Sequence, residues 1–332
     1  MYSTILVHLG SSIPHYAPDC MKQLRLWNKP DELRIYFVIE RHNMDFWQKL
    51  ATDYSVELVY ADTLEQTEHH QMFRMKYTGD KAFRNGYWQF VIERFFYMEE
   101  VMAKYSLHAT ILMEYDVLVY LPFAELVPRL ITYTNQIALV RDNETRAHPG
   151  FMFVSSTRIM AELNEFIACT QQNSYSDMDL LDIYSELYPT RVNYLPVISH
   201  RRNMTKFTRK SQDGHHGPMP SPIFLSSGHD ILKCLFDSAV VGQWVGGIDT
   251  RNTADKGVFI TDAYENEGAL YSMKEMPFEW KKINNLWLPY LDSEPLATIH
   301  VHSKALECFL SDRADVPRAD YDPVKLHNVL VN

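Results

Sequence analysis

A chain of 332 residues is long enough to bury a large core, as one α/β domain or as two modest ones. Its composition, 46% apolar and 22% charged, is that of a globular protein, and a net charge of −10 argues against a protein whose main business is gripping nucleic acid. Cys20, Cys169, Cys234 and Cys308 form no C-x-x-C pair and fit free thiols of a reducing compartment. The first residues carry neither a basic leader nor a long apolar run, so no signal peptide or membrane anchor is visible and a cytoplasmic location is expected.

In chain order, residues 4–9 predict a first strand, broken by the small-residue loop Gly10-Ser11-Ser12. Residues 18–27 predict a helix, with Met21, Leu24 and Trp27 at helical spacing, and residues 33–39 a second strand. A short helix over 46–52 and a strand over 56–60 complete a β-α-β-α-β opening, which implies a parallel sheet. No G-x-G-x-x-G follows the first strand, yet its loop lies where such sheets bind ligands. Residues 63–86 are polar and mixed, with no element assigned. Residues 86–105 predict a helix with an aromatic face, interrupted by Glu93 and Arg94, for which the plain reading is a solvated ion pair.

Residues 109–120 read as one buried strand interrupted by Glu114-Tyr115-Asp116. Carboxylates two apart on an extended chain point the same way, so either a cation sits between them or they lie on a solvated strand end. A helix over 122–130, a strand over 136–141, a turn at His148-Pro149-Gly150 feeding a strand to 156, and a helix over 159–169 follow. Asp177 and Asp179 open a helix, the usual place for dipole partners, and residues 192–198 predict a short strand. Residues 199–221, with Arg201, Arg202, Lys206, Arg209 and Lys210, have the composition expected of a mobile loop. No repeat or linker divides the chain: a single domain is expected, with a tail over 311–332.

Two late stretches carry chemistry. His300-Val301-His302-Ser303-Lys304 sets two imidazoles on one side of an expected strand, beside a lysine suited to phosphate oxygens. Asp237, Gln243, Asp249, Arg251 and Asn252 surround Gly246-Gly247 with hydrogen-bonding groups, and Trp244 is available to stack on a sugar ring; a polar turn with paired Asp249 and Arg251 fits equally.

These pieces, in this order, resemble a GT-A-type glycosyltransferase, with Glu114-Tyr115-Asp116 standing as a variant of the D-x-D motif. The resemblance spans most of residues 1–310 and implies a Rossmann-like α/β fold with a central, mostly parallel sheet flanked by helices, with a nucleotide-binding half over 1–120, an acceptor-binding half over 121–310 and the 199–221 loop expected to order over donor or acceptor. It implies a nucleotide-diphosphate sugar as donor, a UDP- or GDP-sugar, with its nucleoside over His8, Gly10 and Ser11. It further implies Mn2+ or Mg2+ held by Asp116 and His302, with Glu114 on metal or ribose, Lys304 on the leaving diphosphate, and a glycan or other hydroxyl acceptor. An inverting enzyme would take its base from Asp237 or Asp177, whereas a retaining one would set Gln243 along the sugar's reactive face. The rivals are a nucleotidyltransferase or other metal-dependent phosphoryl enzyme, and a carbohydrate-binding protein without activity.

Overall fold

The computed structural model describes residues 1–80, 83–143, 146–170, 175–200, 225–247, 273 and 276–317. The chain opens with strands β1 (Tyr2–His8), β2 (Leu33–Ile39) and β3 (Val56–Tyr60), connected through helices α1 (Ala17–Trp27) and α2 (Met44–Tyr54). The three strands are parallel neighbours, with Ile5 opposite Tyr36 and Phe37 opposite Leu58. Their apolar runs are covered on both faces, which is why they read as continuous rather than alternating.

Next come α3 (Glu68–Lys76), α4 (Tyr87–Lys104), β4 (His108–Met113) and β5 (Val117–Val119). They are followed by α5 (Phe123–Tyr133), β6 (Ile137–Asn143), β7 (Arg146–Ser156), α6 (Thr157–Thr170), α7 (Asp177–Leu187) and β8 (Val192–Tyr194). The seven-stranded sheet has the order β3-β2-β1-β4-β7-β6-β8, and β7 alone runs against its neighbours. One face is covered by α1, α2 and α5, the other by α3, α4, α6 and α7. The expected α/β architecture, a mostly parallel sheet between helices, is present.

The last described segments are α8 (His229–Leu232), α9 (Val240–Gly246), and strands β9 (Phe278–Ile283), β10 (Leu286–Leu291), β11 (Glu294–Pro295) and β12 (Thr298–His300). Strands β9 to β11 form a small antiparallel sheet, while β12 pairs antiparallel with β5. No helix among the described residues is long and apolar enough to cross a membrane.

Four expectations need correction. Residues 63–86 hold a helix, α3, whose start is capped by Thr67 accepting from the His70 N–H at 3.2 Å. The run 109–120 is two strands in two sheets: the Glu114 carbonyl accepts from Val117 N at 3.2 Å, a turn that ends β4 and sends β5 toward the C-terminal segment. His148-Pro149-Gly150 lies within β7 rather than in a turn before it, at a register shift where the β6 ladder is broken. Finally, β12 stops at His300, and residues 301–304 turn, leaving Lys304 in a left-handed conformation at φ 68°. The basic part of the expected 199–221 loop, and the tail beyond 317, lie outside the described residues.

Candidate functional site

Parallel pairing sets the frame of the site. Strands β1 and β4 are aligned with Ile5 opposite Leu112, so the loops leaving both strands emerge at one edge of the sheet. Three residues beyond that pair, His8 Nδ1 meets the Tyr115 hydroxyl at 2.9 Å, while His8 Nε2 meets the Ser12 carbonyl at 2.8 Å. A carbonyl only accepts, so the proton sits on Nε2 and Nδ1 accepts from Tyr115. Burial lowers the His8 pKa, against the pull of the Ser12 carbonyl and Glu40, which keeps this bridge neutral. Gly10 donates to Glu40 Oε2 at 2.7 Å and adopts φ 90°, and an added Cβ would stand 3.2 Å from the Phe90 ring. Ser11 is exposed beside it, and Tyr16 stacks on Tyr115 with ring centres 5.5 Å apart.

The C-terminal motif reaches this edge through β12. Its register puts His300 opposite Val117, and Val301 N donates to the Asp116 carbonyl at 2.8 Å. His300 Nε2 thereby lies 3.2 Å from Asp116 Oδ2 and 3.6 Å from Glu114 Oε2, joining residues far apart in sequence. Lys304 donates to the same Asp116 oxygen and lies 5.7 Å from the Tyr16 ring centre. The His302 ring sits one step further out, 4.9 Å from that of His300.

Asp237 holds this strand in place. Its carboxylate accepts from Val241 N at 2.9 Å, Gly242 N at 2.8 Å and His300 N at 3.0 Å, so one buried side chain ties α9 to β12. Gly242 is required at that contact, because a Cβ there would fall 1.8 Å from the His300 carbonyl oxygen. Gln243 and Trp244 are half-buried on α9, whereas Asp249, Arg251 and Asn252 lie outside the described residues.

The sequence reading missed two members of the site. Arg94 is not solvated: it is buried, and its guanidinium donates to Glu114 with one nitrogen and to Asp177 with the other. A charge in the middle of an aromatic helix face was the available signal. His148 is the second, brought beside Glu114 because β7 runs antiparallel to β4 and the Gly150 carbonyl accepts from Glu114 N at 2.9 Å. Its ring lies 4.6 Å from that of His300.

The charges are balanced by neighbours. Burial works against ionisation of Glu114, yet Arg94, His300 and His148 together outweigh it and lower the carboxyl to about 2. Burial is likewise outweighed at Asp116, where Lys304 and His300 hold the carboxyl well below its usual range. Burial would neutralise His300, but Asp116 and Glu114 raise it. His148 and His302 go the other way, both to about 3, through burial and then the neighbouring His300. Asp177 is raised by burial, which exceeds the opposing pull of Arg94, and Asp237 is raised by burial against its three N–H donors.

Glu114, His148 and His300 each present a ligand atom within 4.8 Å of the other two. Among the described residues His300 Nδ1 is buried without a hydrogen-bond partner, and His148 Nδ1 accepts from Gly150 N at 2.9 Å. With the Asp116 carboxylate adjoining, these residues fit a divalent cation of mixed nitrogen and oxygen preference.

Around the start of α4, the rings of Phe83, Tyr87 and Trp88 are each more than a third exposed. Phe83 stacks on Trp88 with centres 5.6 Å apart, and Tyr87 packs edge-on to Trp88 at 5.2 Å. Crowding by neighbouring atoms, then the charges of Glu114 and Asp177, raise the Tyr87 phenol, although the residue keeps 38% of its surface exposed.

No protein-family model matches the chain, and no curated protein sequence does. Among solved structures it is similar to the apo form of mouse xyloside xylosyltransferase 1, at 13% identity over 59% of this chain and 85% of that one, TM-score 0.42. It is similar to the galactosyltransferase LgtC in complex with donor and acceptor sugar analogues, at 10% identity over 58% and 73%, TM-score 0.41. Glycosyltransferases are among the folds it resembles. A cytidylyltransferase from Leptospira borgpetersenii is matched at 10% identity over 59% and 75%, TM-score 0.36.

Proposed function

We propose that this chain is a glycosyltransferase that moves a sugar from a nucleoside-diphosphate donor, a UDP- or GDP-sugar, to a hydroxyl group of a glycan or related acceptor. The observation that carries the reading is the meeting of Asp116, His300, Glu114 and Lys304 at the edge where β1 and β4 end. Two carboxylates accept a diphosphate beside them only when cations stand between, and the imidazole and lysine groups at this edge support that reading.

Glu114, His300 and His148, with Asp116 alongside, would hold the cation. Their imidazoles favour Mn2+ over Mg2+, which prefers oxygen ligands and keeps its water. When bound, the cation supplies Lewis-acid neutralisation of the departing diphosphate. Lys304 leaves Asp116 for the phosphate oxygens, a charge-assisted contact of the kind that strengthens as negative charge develops. The nucleoside lies over Gly10 and Ser11, where the positive-φ glycine permits close backbone approach, with the Tyr16 and Tyr115 rings beside it. His8 acts by fixing Tyr115 rather than by touching the donor.

Phe83, Tyr87 and Trp88 offer the acceptor a stacking surface, since the C–H face of a sugar packs on aromatic rings. For an inverting reaction Asp177 is the better candidate base: burial raises its pKa, and it shares Arg94 with Glu114. Asp237 has spent its oxygens on backbone N–H groups. For a retaining reaction Gln243 is the group to line the sugar's reactive face.

The test is to incubate the chain with labelled sugar nucleotides and Mn2+, with and without saccharide acceptors. Release of nucleoside diphosphate with transferred or free sugar supports the reading. Pyrophosphate release from a nucleoside triphosphate and a sugar phosphate, without sugar transfer, overturns it.

A further inference from the structure

Outside the site above, a second group of metal-binding side chains comes together: His200, His229 and Asp230 each place a ligand atom within 4.8 Å of the other two. The chain brings them together by backbone pairing. Val197 N donates to the Leu225 carbonyl at 2.9 Å and Phe236 N to the Pro196 carbonyl at 2.8 Å, so residues 196–200 run beside the segment that carries α8. His229, the first residue of α8, is 4% exposed and lies between two other side chains.

The protonation of His229 follows from its neighbours. Its Nε2 lies 3.5 Å from Glu294 Oε2, and a carboxylate there draws the imidazole proton to that nitrogen. The Nδ1 lone pair is then directed at His200 Nδ1, 2.9 Å away. His200 Nδ1 is in turn 3.5 Å from Asp230 Oδ1. Tetrahedral ligands about 2.1 Å from zinc stand roughly 3.4 Å apart, close to these spacings. A carboxylate behind a histidine whose other nitrogen is aimed at a shared point is the supporting arrangement of metal-ligating histidines.

We propose that His200 Nδ1, His229 Nδ1 and the Asp230 carboxylate bind a divalent cation of the zinc, cobalt and nickel class, with Glu294 orienting His229. Two imidazoles and one carboxylate exclude Mg2+ and Ca2+ as the preferred occupants. None of these residues takes part in the Glu114 site, so the inference stands whether or not the chain transfers sugars. The cation would join two points that flank residues 201–224 in the sequence, and so add stability by closing the chain between them.

Equilibrium dialysis with Zn2+ and visible absorption with Co2+ test this on the full chain, in wild type, His200→Ala/Asp230→Asn and His300→Ala. His200 and Asp230 are 43% and 76% exposed, so the double variant keeps the fold. The expected result is one bound equivalent fewer in the double variant, a Co2+ affinity at that site lower by about 100-fold, and unchanged binding of sugar nucleotide. His229→Asn, which keeps a polar group under Glu294, should lose the same equivalent. In His300→Ala the Co2+ absorption of the His200 site should persist. Equal cation uptake by wild type and the double variant would overturn the proposal and leave an N–H···N hydrogen bond between the two rings. Uptake that disappears only in His300→Ala would also overturn it, by assigning all binding to the Glu114 site.

Discussion

Two adjacent residues of α4 enter two buried charge clusters of different kinds. Glu93 faces α3, where its carboxylate accepts from Arg74 Nε at 2.6 Å and Gln89 at 2.9 Å, and lies 3.8 Å from His70 Nε2. His70 Nδ1 is 2.7 Å from Glu100, whose carboxylate also accepts from Thr67 N at 3.1 Å. Arg94, one position on, turns to the sheet edge and bridges Glu114 and Asp177. The first cluster comes from a short stretch of chain, is built from α3 and α4, and pairs its charges among local partners, with Glu100 Oε2 and His70 Nε2 left without a hydrogen bond among the described residues. The second gathers Arg94, Glu114, Asp116, His148, Asp177, His300 and Lys304 from across the chain, at the edge where the parallel strands end. Buried charge that closes on itself over a helix pair holds the fold together. Buried charge assembled from distant segments beside an aromatic shelf is where we propose that the donor enters.

That contrast is broken most strongly at Asp116. Asp116→Asn should reduce sugar transfer by about 1,000-fold, the scale of losing one electrostatic contact to a charged transition state, in a protein that still unfolds cooperatively although Lys304 and His300 lose a buried partner. Initial-rate assays and a melting curve on the same preparation check both halves. A variant that melts far lower and retains its turnover would make Asp116 a structural residue like Glu93. The converse substitution is His70→Ala, which leaves two buried carboxylates short of a partner and should cost about 3 kcal/mol of stability in urea denaturation. Nucleotide affinity of the folded protein should not change.

How far the sequence announced these two regions follows the reach of their signals. The β-α-β-α-β opening was legible because strands buried on both faces are continuous apolar runs, and β2 and β3 fall on the predicted residues. The meeting of residue 116 with the C-terminal histidines was legible from chemistry, since a buried acid pair needs positive partners. Which histidine meets Asp116 was not, because it depends on the β5–β12 register and on Gly242 lying against His300. Arg94 and His148 were missed for the same reason: their partners come from strand pairing, not from sequence neighbours. Helix α3 was missed because its polar residues hide a buried face of His70 and Phe73, so local hydrophobicity gave little warning.

The pH dependence sharpens the comparison. Burial would lower His70, but Glu100 and Glu93 together raise it above its ordinary value of 6.5. A group raised on folding contributes stability that is full below its unfolded pKa and is lost as pH rises through the folded value. Glu93 is lowered, with His70 and Arg74 outweighing its burial, so its contribution is present above its ordinary value of 4.5 and is lost as pH falls through the folded value. Urea midpoints measured from acid to alkaline pH should therefore decline at both ends. His70→Gln should lack the alkaline decline; an unchanged profile in that variant would show that the imidazole does not carry it.

A smaller effect is expected at the shelf. Trp88→Ala should raise the acceptor KM by about tenfold, the size of a lost aromatic contact, and leave donor affinity unchanged. Loss of donor binding instead would move the shelf from the acceptor to the nucleotide.

The most direct test of the central claim is calorimetric titration of a UDP- or GDP-sugar into the chain, with and without Mn2+, in wild type and in Asp116→Asn. The account predicts that binding in wild type weakens by about tenfold or more, a loss of roughly 1.4 kcal/mol, when the cation is withheld, and that Asp116→Asn removes this cation dependence. Equal affinity with and without cation, or in wild type and variant alike, would contradict it.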